Sequence, residues 1–554
     1  MDILQVKNLS FTYSGTEKQA LNNLSMNIKS GSFNLVFGES GCGKSTLFRL
    51  CKREISPNGK KSGNILYKGT DISRLEPKIS ACKIGFVGQK PDEQIVTDKV
   101  WHELAFGLEN SGLKNTEIKS RVAEMSSYFG INEWYHKNTD ELSGGQKQIL
   151  NLASVMVMQP DILILDEPTS QLDPIAASNF IEALKKLNYD FGLTILIAEH
   201  RLEEIFPVAD NAFAMENGRI IFSGNPKNVC EKLKGNNLEM SLPTPSRVWS
   251  SLEVNCECPL TVRDGRNFLR ENFPDKFGRE ISVKNEHGSS ESKNNTAIEA
   301  NGIFFRYGKK LPDILENMSL TVNKGEIFSI LGGNGCGKTT TLNILSGIDI
   351  PYKGCIKILG KRINSYKNNS LYRNTLAYLP QNPMSVFIKT SVREDLADIL
   401  NVLDIPKNEQ SYHITDISQK VGISDFLGRH PYDLSGGEIQ KCAIAKILLT
   451  NPQIMLLDEP TKGMDAFYKN TLLTIMKALK NEGKTILMVT HDIEFAAEAS
   501  DRCALFFDGG IVSYGVPNEF FSGNSFYTTS AGRMSRDFFK NAVLCSEIVR
   551  LCGG

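Results

Sequence analysis

The chain has 554 residues, with 63 Lys+Arg against 63 Asp+Glu and 41% hydrophobic residues. That length suits at least two domains, and a neutral balance without a basic stripe argues against a nucleic-acid binder. No apolar run approaches the ~18 residues needed to span a bilayer. Met1-Asp2-Ile3 opens directly into a strand-like segment, so no leader is expected, and the 12 cysteines are scattered without a disulfide framework, which predicts reduced thiols in a cytoplasmic setting.

In chain order, Phe33 to Phe37 reads as a buried strand. It runs into Gly38-Glu39-Ser40-Gly41-Cys42-Gly43-Lys44-Ser45, which fits G-x-x-x-x-G-K-[ST], and then into a helix-like run from Thr46. Glycines let successive N–H groups turn inward around phosphate oxygens. The lysine adds charge at the outer phosphates, the Ser hydroxyl suits magnesium, and the helix N-terminus favours the anion. Leu142-Ser143-Gly144-Gly145-Gln146 opens an amphipathic helix-like stretch whose first N–H groups could also face an anion. Ile162 to Leu165 is an apolar run ending in Asp166-Glu167, as expected of a parallel strand with carboxylates at its ligand-facing end. There an Asp can hold magnesium and a Glu can orient and deprotonate water. Thr194 to Ala198 is a further buried strand-like run, followed by Glu199-His200.

Residues 225–270 form an extension without a strong period. Its Cys256-Glu257-Cys258 has no second ligand pair nearby, so no metal site is read there. Residues 271–295 turn polar and read as a flexible linker.

The set then recurs. Ile327 to Leu331 leads into Gly332-Gly333-Asn334-Gly335-Cys336-Gly337-Lys338-Thr339 and a helix-like run from Thr340. Leu434-Ser435-Gly436-Gly437-Glu438, Asp458-Glu459 at the end of Ile454 to Leu457, and His491 after Thr485 to Thr490 follow. Lys44 and Lys338, Gln89 and Gln381, Ser143 and Ser435, Asp166 and Asp458, and His200 and His491 are all separated by 291 to 294 residues. One offset across five landmarks means two copies of one module. The expected division is a first nucleotide-binding domain over 1–240, an extension and polar linker over 241–295, and a second domain with a C-terminal tail over 296–554.

These motifs together resemble the nucleotide-binding domains of ABC ATPases, and the resemblance covers both modules almost end to end. It implies an α/β fold: tandem P-loop domains, each with a mainly parallel sheet, an antiparallel β part and a helical subdomain. It implies ATP and Mg2+ as cofactors. By the same resemblance Tyr13 and Tyr307 would stack on adenine, and Gln89 and Gln381 would touch magnesium beside Ser45, Thr339, Asp166 and Asp458. Glu167 and Glu459 would be the catalytic glutamates, His200 and His491 the switch histidines, and Asp173 and Asp465 the D-loop aspartates. In this family two domains close head to tail, so Lys44, Glu167 and His200 would face Ser435-Gly436-Gly437, and Lys338, Glu459 and His491 would face Ser143-Gly144-Gly145. Both sets are complete, which implies two hydrolysing sites. Cys42 and Cys336 would fit beside the backbone cradle as small residues.

A finer resemblance lies in Gly88-Gln89-Lys90-Pro91-Asp92-Glu93, in Pro380-Gln381-Asn382-Pro383-Met384, in Ala198-Glu199-His200-Arg201-Leu202 and in the tail Phe521 to Thr529. These are similar to the duplicated ATPases of energy-coupling factor (ECF) transporters. That implies an importer for a vitamin or transition-metal ion, at the cytoplasmic face of the membrane, with a transmembrane T component and a substrate-binding S component as partners and no nucleic acid. The alternatives are a soluble tandem ABC ATPase acting on ribosomes or nucleic acid, and a fused sugar-importer ATPase. Asp92, Glu93 and Glu103 in half one, against Met384, Val386, Phe387 and Lys389 in half two, predict one acidic and one apolar partner groove.

Overall fold

Phe33–Gly38, Ile162–Asp166 and Thr194–Ala198 are buried at every residue. Strands without a solvent-facing side belong in the middle of a covered parallel sheet. They sit there in a six-stranded sheet of order Arg219–Gly224, Asn211–Glu216, Phe33–Gly38, Thr194–Ala198, Ile162–Asp166, Ile84–Val87. All pairs are parallel except the edge strand Arg219–Gly224. The computed structural model describes residues 1–281, 295–367 and 370–553. These divide into two compact units, one of Met1–Ser250 and Val254–Thr261, the other of Ser251–Glu253 and Val262–Gly554.

In the first unit an antiparallel sheet, Gln19–Lys29, Asp2–Tyr13, Gly59–Tyr67 and Thr70–Asp71, packs across the helix Lys44–Leu50. Leu47 and Phe48 point from that helix into the core between the two sheets, both 0% exposed. A separate apolar cluster joins Val100–Asn110, Asn115–Tyr128 and Gly144–Met156 through Leu104, Val122 and Leu150. The second unit repeats this: a four-stranded antiparallel sheet, a six-stranded sheet centred on Ile327–Leu331, and helices Val392–Val402, Lys407–Val421 and Gly436–Leu448. Each unit therefore has the α/β architecture expected from the motifs. Among the described residues no helix is long and apolar enough to cross a membrane.

The segment read as a linker differs from expectation where it is described. Residues 282–294 lie outside the described residues, but 262–281 pack within the second unit. Arg266 donates to the Arg533 carbonyl at 2.9 and 2.7 Å, and Gly278 N donates to the Phe538 carbonyl at 2.9 Å. The Phe277 and Phe538 rings lie 4.5 Å apart. A polar composition hid these contacts because arginine guanidinium groups, backbone groups and one aromatic pair make them.

Phe48→Ala is expected to cost the first unit about 3–5 kcal/mol, as for a fully buried aromatic. Phe526→Ala, at a side chain 88% exposed, should change stability by less than about 0.5 kcal/mol. Chemical denaturation of the full chain checks both, and equal costs would contradict the packing described.

Candidate functional site

Strand register decides where the chemistry gathers. Val36 and Asp166 both pair with Ala198, so the three central strands end level. The residues that leave those ends are the glycine-rich loop, Glu167 and His200. Lys44 folds back over the loop, its Nζ donating to the carbonyls of Gly38 at 2.8 Å and Glu39 at 3.1 Å. It also lies 3.9 Å from Glu167 Oε1. Two glycines have no substitute here. A Cβ on Gly38 would fall 2.2 Å from the Met215 carbonyl oxygen, and one on Gly43, at φ 104°, would fall 2.6 Å from that of Ala20. The Cys42 sulfur sits against Gly38 and is 5% exposed, so it is a packing residue under the loop.

The two carboxylates at the strand end are driven apart in acidity. Burial, reinforced by the Glu167 charge, pushes Asp166 up to about 6 although the Ser45 hydroxyl donates to it at 3.0 Å. Burial would raise Glu167 too, but the His200 imidazole, 2.7 Å from Oε1, and Lys44 outweigh it and hold Glu167 at about 2. Gln89 Nε2 donates to the other oxygen at 3.1 Å. Glu167 has φ 48°, a left-handed conformation that L-residues with long side chains seldom adopt. Its N–H still donates to the Ala198 carbonyl at 3.0 Å, so the strand pairing continues while the side chain swings toward Lys44.

The second unit builds the same arrangement. Lys338 Nζ donates to the carbonyls of Gly332 at 3.1 Å and Gly333 at 2.7 Å. Glu459 has φ 51°, donates to the Val489 carbonyl at 2.8 Å, and lies 2.8 Å from His491 Nδ1. Burial pushes Asp458 up to about 6 in spite of the neighbouring Thr339 hydroxyl. Both its carboxylate oxygens are buried without a hydrogen-bond partner among the described residues. An orphaned buried carboxylate under a hydroxyl is a donor set that a hard divalent cation would satisfy. Gln381 differs from Gln89: its side chain is exposed and reaches no partner among the described residues.

Other expected residues fall elsewhere. Tyr13 and Tyr307 lean over the loop helices, their hydroxyls 2.9 and 3.1 Å from those of Thr46 and Thr340. Ser143 and Ser435 cap their helices in capping boxes with Gln146 and Glu438. Asp173 and Asp465 cap the helices that follow them, accepting from Ala176 N at 2.7 Å and Tyr468 N at 2.8 Å. Of the three acids read in half one's groove, two stay exposed in surface ion pairs and one turns inward. Asp92 pairs with Lys147 at 2.5 Å and Glu93 with Lys90 at 2.8 Å. Glu103, 5% exposed, accepts from the amides of Val96 and Thr97 at 3.0 and 2.8 Å. Asp395 does the same in half two for Ile388 and Lys389, both at 3.1 Å. These acids hold loops, because an unpaired amide at a loop end costs more than an exposed carboxylate gains. One residue had no role in the sequence reading: Glu199, buried at 2% exposure between the two strand ends.

A family profile described as ABC transporter matches residues 21–170 and 315–462. A putative ABC transporter ATP-binding protein of Bacillus thuringiensis subsp. konkukian is 38% identical over 553 residues, covering 99% of this chain and 98% of that protein. A putative HMP/thiamine import ATP-binding protein of Bacillus subtilis is 29% identical over 530 residues, covering 94% and 93%. Among solved structures, CbiO1 of Clostridium perfringens, described as part of the ABC transporter complex CbiONQ, shares 36% identity over 43% of this chain and 97% of that one, with a TM-score of 0.38. An archaeal ribosome recycling factor, solved with a ribosomal stalk protein, shares the fold at a TM-score of 0.57 and 23% identity over 93% and 92%.

The weakened acidity of Asp166 and Asp458 gives stability a pH dependence. A carboxyl that titrates near 6 when folded, against an ordinary 3.8, holds its proton more tightly in the folded state, so stability falls as pH rises through that window and stays lower above it. Asp166→Asn and Asp458→Asn should therefore each raise the melting midpoint of the nucleotide-free chain at pH 7.5 by a few degrees, up to about 3 kcal/mol. The gain should vanish below about pH 4. Calorimetry across pH 4–8 checks this, and an undiminished gain at the acid end would contradict it.

Proposed function

The chain belongs to the ABC transporter family of ATP-binding proteins, and from that premise we propose that this ATPase is the energy-coupling subunit of an ECF-type importer for a vitamin or a transition-metal ion. The observation that carries the reading is the duplication of one complete set. Each unit holds a phosphate loop, an Asp-Glu pair and a histidine at the level ends of three parallel strands. Sequence similarity along nearly the whole chain to a putative HMP/thiamine import protein supports the vitamin class.

The loop amides and Lys44 or Lys338 take the phosphates of ATP. Ser45 with Asp166, and Thr339 with Asp458, would hold Mg2+ through their oxygens, and Gln89 and Gln381 could each add an amide oxygen. The cation would neutralise charge building on the transferred phosphoryl group. Ionised Glu167, steered by its left-handed backbone, orients the attacking water and accepts its proton, with Glu459 doing so in half two. His200 and His491 fix those carboxylates and reach toward the outer phosphate. Ser143-Gly144-Gly145 and Ser435-Gly436-Gly437 open capped helices, and in the family pattern such a segment would complete the opposite half's site.

Beside the exposed ion pairs of Asp92 with Lys147 and Glu93 with Lys90 lie exposed apolar groups. Val96 and Trp101 in half one are 67% and 40% exposed, and Ile388 in half two is 72% exposed next to half-buried Met384 and Phe387. These would receive the coupling helices of a transmembrane T component, which with an S component would hold the chain at the cytoplasmic face of the membrane.

Glu167→Gln and Glu459→Gln, made singly, should each lower ATP turnover by at least tenfold; full turnover in either variant would remove that half from catalysis. Affinity capture of the tagged chain from detergent-solubilised membranes of its own host should recover one polytopic protein and one small hydrophobic protein, and Ile388→Glu should abolish that recovery while retaining ATPase activity. Recovery of ribosomal proteins alone would overturn the importer reading.

A further inference from the structure

The two sites share their parts but not the group behind them. Ala198 and Val489 pair with Asp166 and Asp458 in the same register, so Glu199 and Thr490 are equivalent positions, one residue before each histidine. Glu199 is 2% exposed, and its carboxylate joins two loops. Oε1 accepts from Thr169 N at 2.9 Å, in the turn just after Glu167, and Oε2 accepts from His200 N at 3.2 Å. Thr169 is itself 2% exposed, so this bond is shielded from water. A buried carboxylate is retained only where its oxygens are well used, and these are used on the two backbone segments that carry the catalytic pair.

Half two lacks this brace. The Thr490 hydroxyl accepts from Asp492 N at 3.0 Å and so closes its own turn. Among the described residues no side chain reaches Thr461 N, the counterpart of Thr169 N. The His491 amide instead donates to Glu459 Oε2 at 3.2 Å, the same oxygen that faces His491 Nδ1. In half one the histidine amide is taken by Glu199, which leaves the Glu167 oxygens to Gln89, His200 and Lys44. In half two the glutamate serves as its own brace, and Gln381 reaches no partner.

We propose that Glu199 is a positioning residue for half one: it pins the turn after Glu167 to the strand end bearing His200, relieves Glu167 of that task, and makes the two ATP sites unequal. Both its oxygens are used on the Thr169 and His200 amides, so its effect runs through the placement of Glu167 and His200. The inference rests on the assignment of Glu167 to the hydrolytic step.

The test measures steady-state ATP turnover, MgATP binding and melting midpoint on the full chain. Glu199→Thr, which installs the half-two residue, should lower kcat by roughly 10- to 100-fold, the scale of a misplaced catalytic group, with KM and MgATP affinity within twofold. Glu199→Gln keeps one acceptor, enough for one of the two amides, and should lower kcat less than Glu199→Thr does, separating partial loss of the brace from loss of the fold. Thr490→Val, at the equivalent position, should leave kcat within twofold. Turnover unchanged in Glu199→Thr, or a Glu199→Gln defect as deep as that of Glu199→Thr, or an equal loss in Thr490→Val, would overturn the proposal. So would losses of affinity and melting midpoint that match the loss of kcat, since those mark a structural role alone. Glu167→Gln, measured alongside, keeps the two assignments apart: if it retains full turnover the hydrolytic assignment fails, whereas if it is inactive and Glu199→Thr is not, only the brace fails.

Discussion

The rest of the half-one site depends on keeping a carboxylate ionised where burial opposes it. Glu167 is held charged by Lys44 and His200, at 3.9 and 2.7 Å, while its neighbour Asp166 yields to the same burial and to the Glu167 charge. Opposite shifts on adjacent acids at one strand end separate their tasks. The acid that keeps its charge can act on water, and the one that resents its charge gains most from a cation. Asp458, with two buried oxygens and no hydrogen-bond partner among the described residues, is the same situation drawn further.

That compensation needs geometry the sheet supplies. Level strand ends bring the loop, the acids and the histidine within reach. A left-handed residue after each Asp then turns the glutamate across the strand ends instead of along the strand. Such a conformation costs on the order of 1 kcal/mol for a side chain of this kind, and it persists because the strand pairing through Ala198 or Val489 and the ion pair to histidine hold it from both sides. Strain kept in both copies at the same residue is a feature of the site, not of one loop.

Around this common core the copies have diverged in what supports it. Half one braces its loops with a buried carboxylate, and half two uses a threonine that serves its own turn. The loops after Gln89 and Gln381 converge on one solution, a buried acid accepting two successive amides, through Glu103 in one and Asp395 with Lys446 in the other. Glu103, which read as part of a charged groove, is thereby turned inward, while Asp92 and Glu93 and the apolar residues beside them remain exposed.

The sequence by itself determined the duplication, the phosphate loops and the α/β class, because glycines at fixed offsets and apolar runs ending in Asp-Glu have few other uses. It also nominated Lys44, Asp166, Glu167 and His200, which the fold brings together, since each follows directly from the end of a strand whose burial is legible in its composition. It did not foretell that residues 262–281 pack within the second unit, because those contacts run through charged side chains onto backbone carbonyls, backbone groups and one aromatic pair. Nor did it disclose the left-handed glutamates, the inward-facing Glu103 or the bridging Glu199. For a carboxylate, exposed charge and buried brace are written with the same letter; only the tertiary structure decides between them, by whether unpaired amides converge on it in a place water cannot reach.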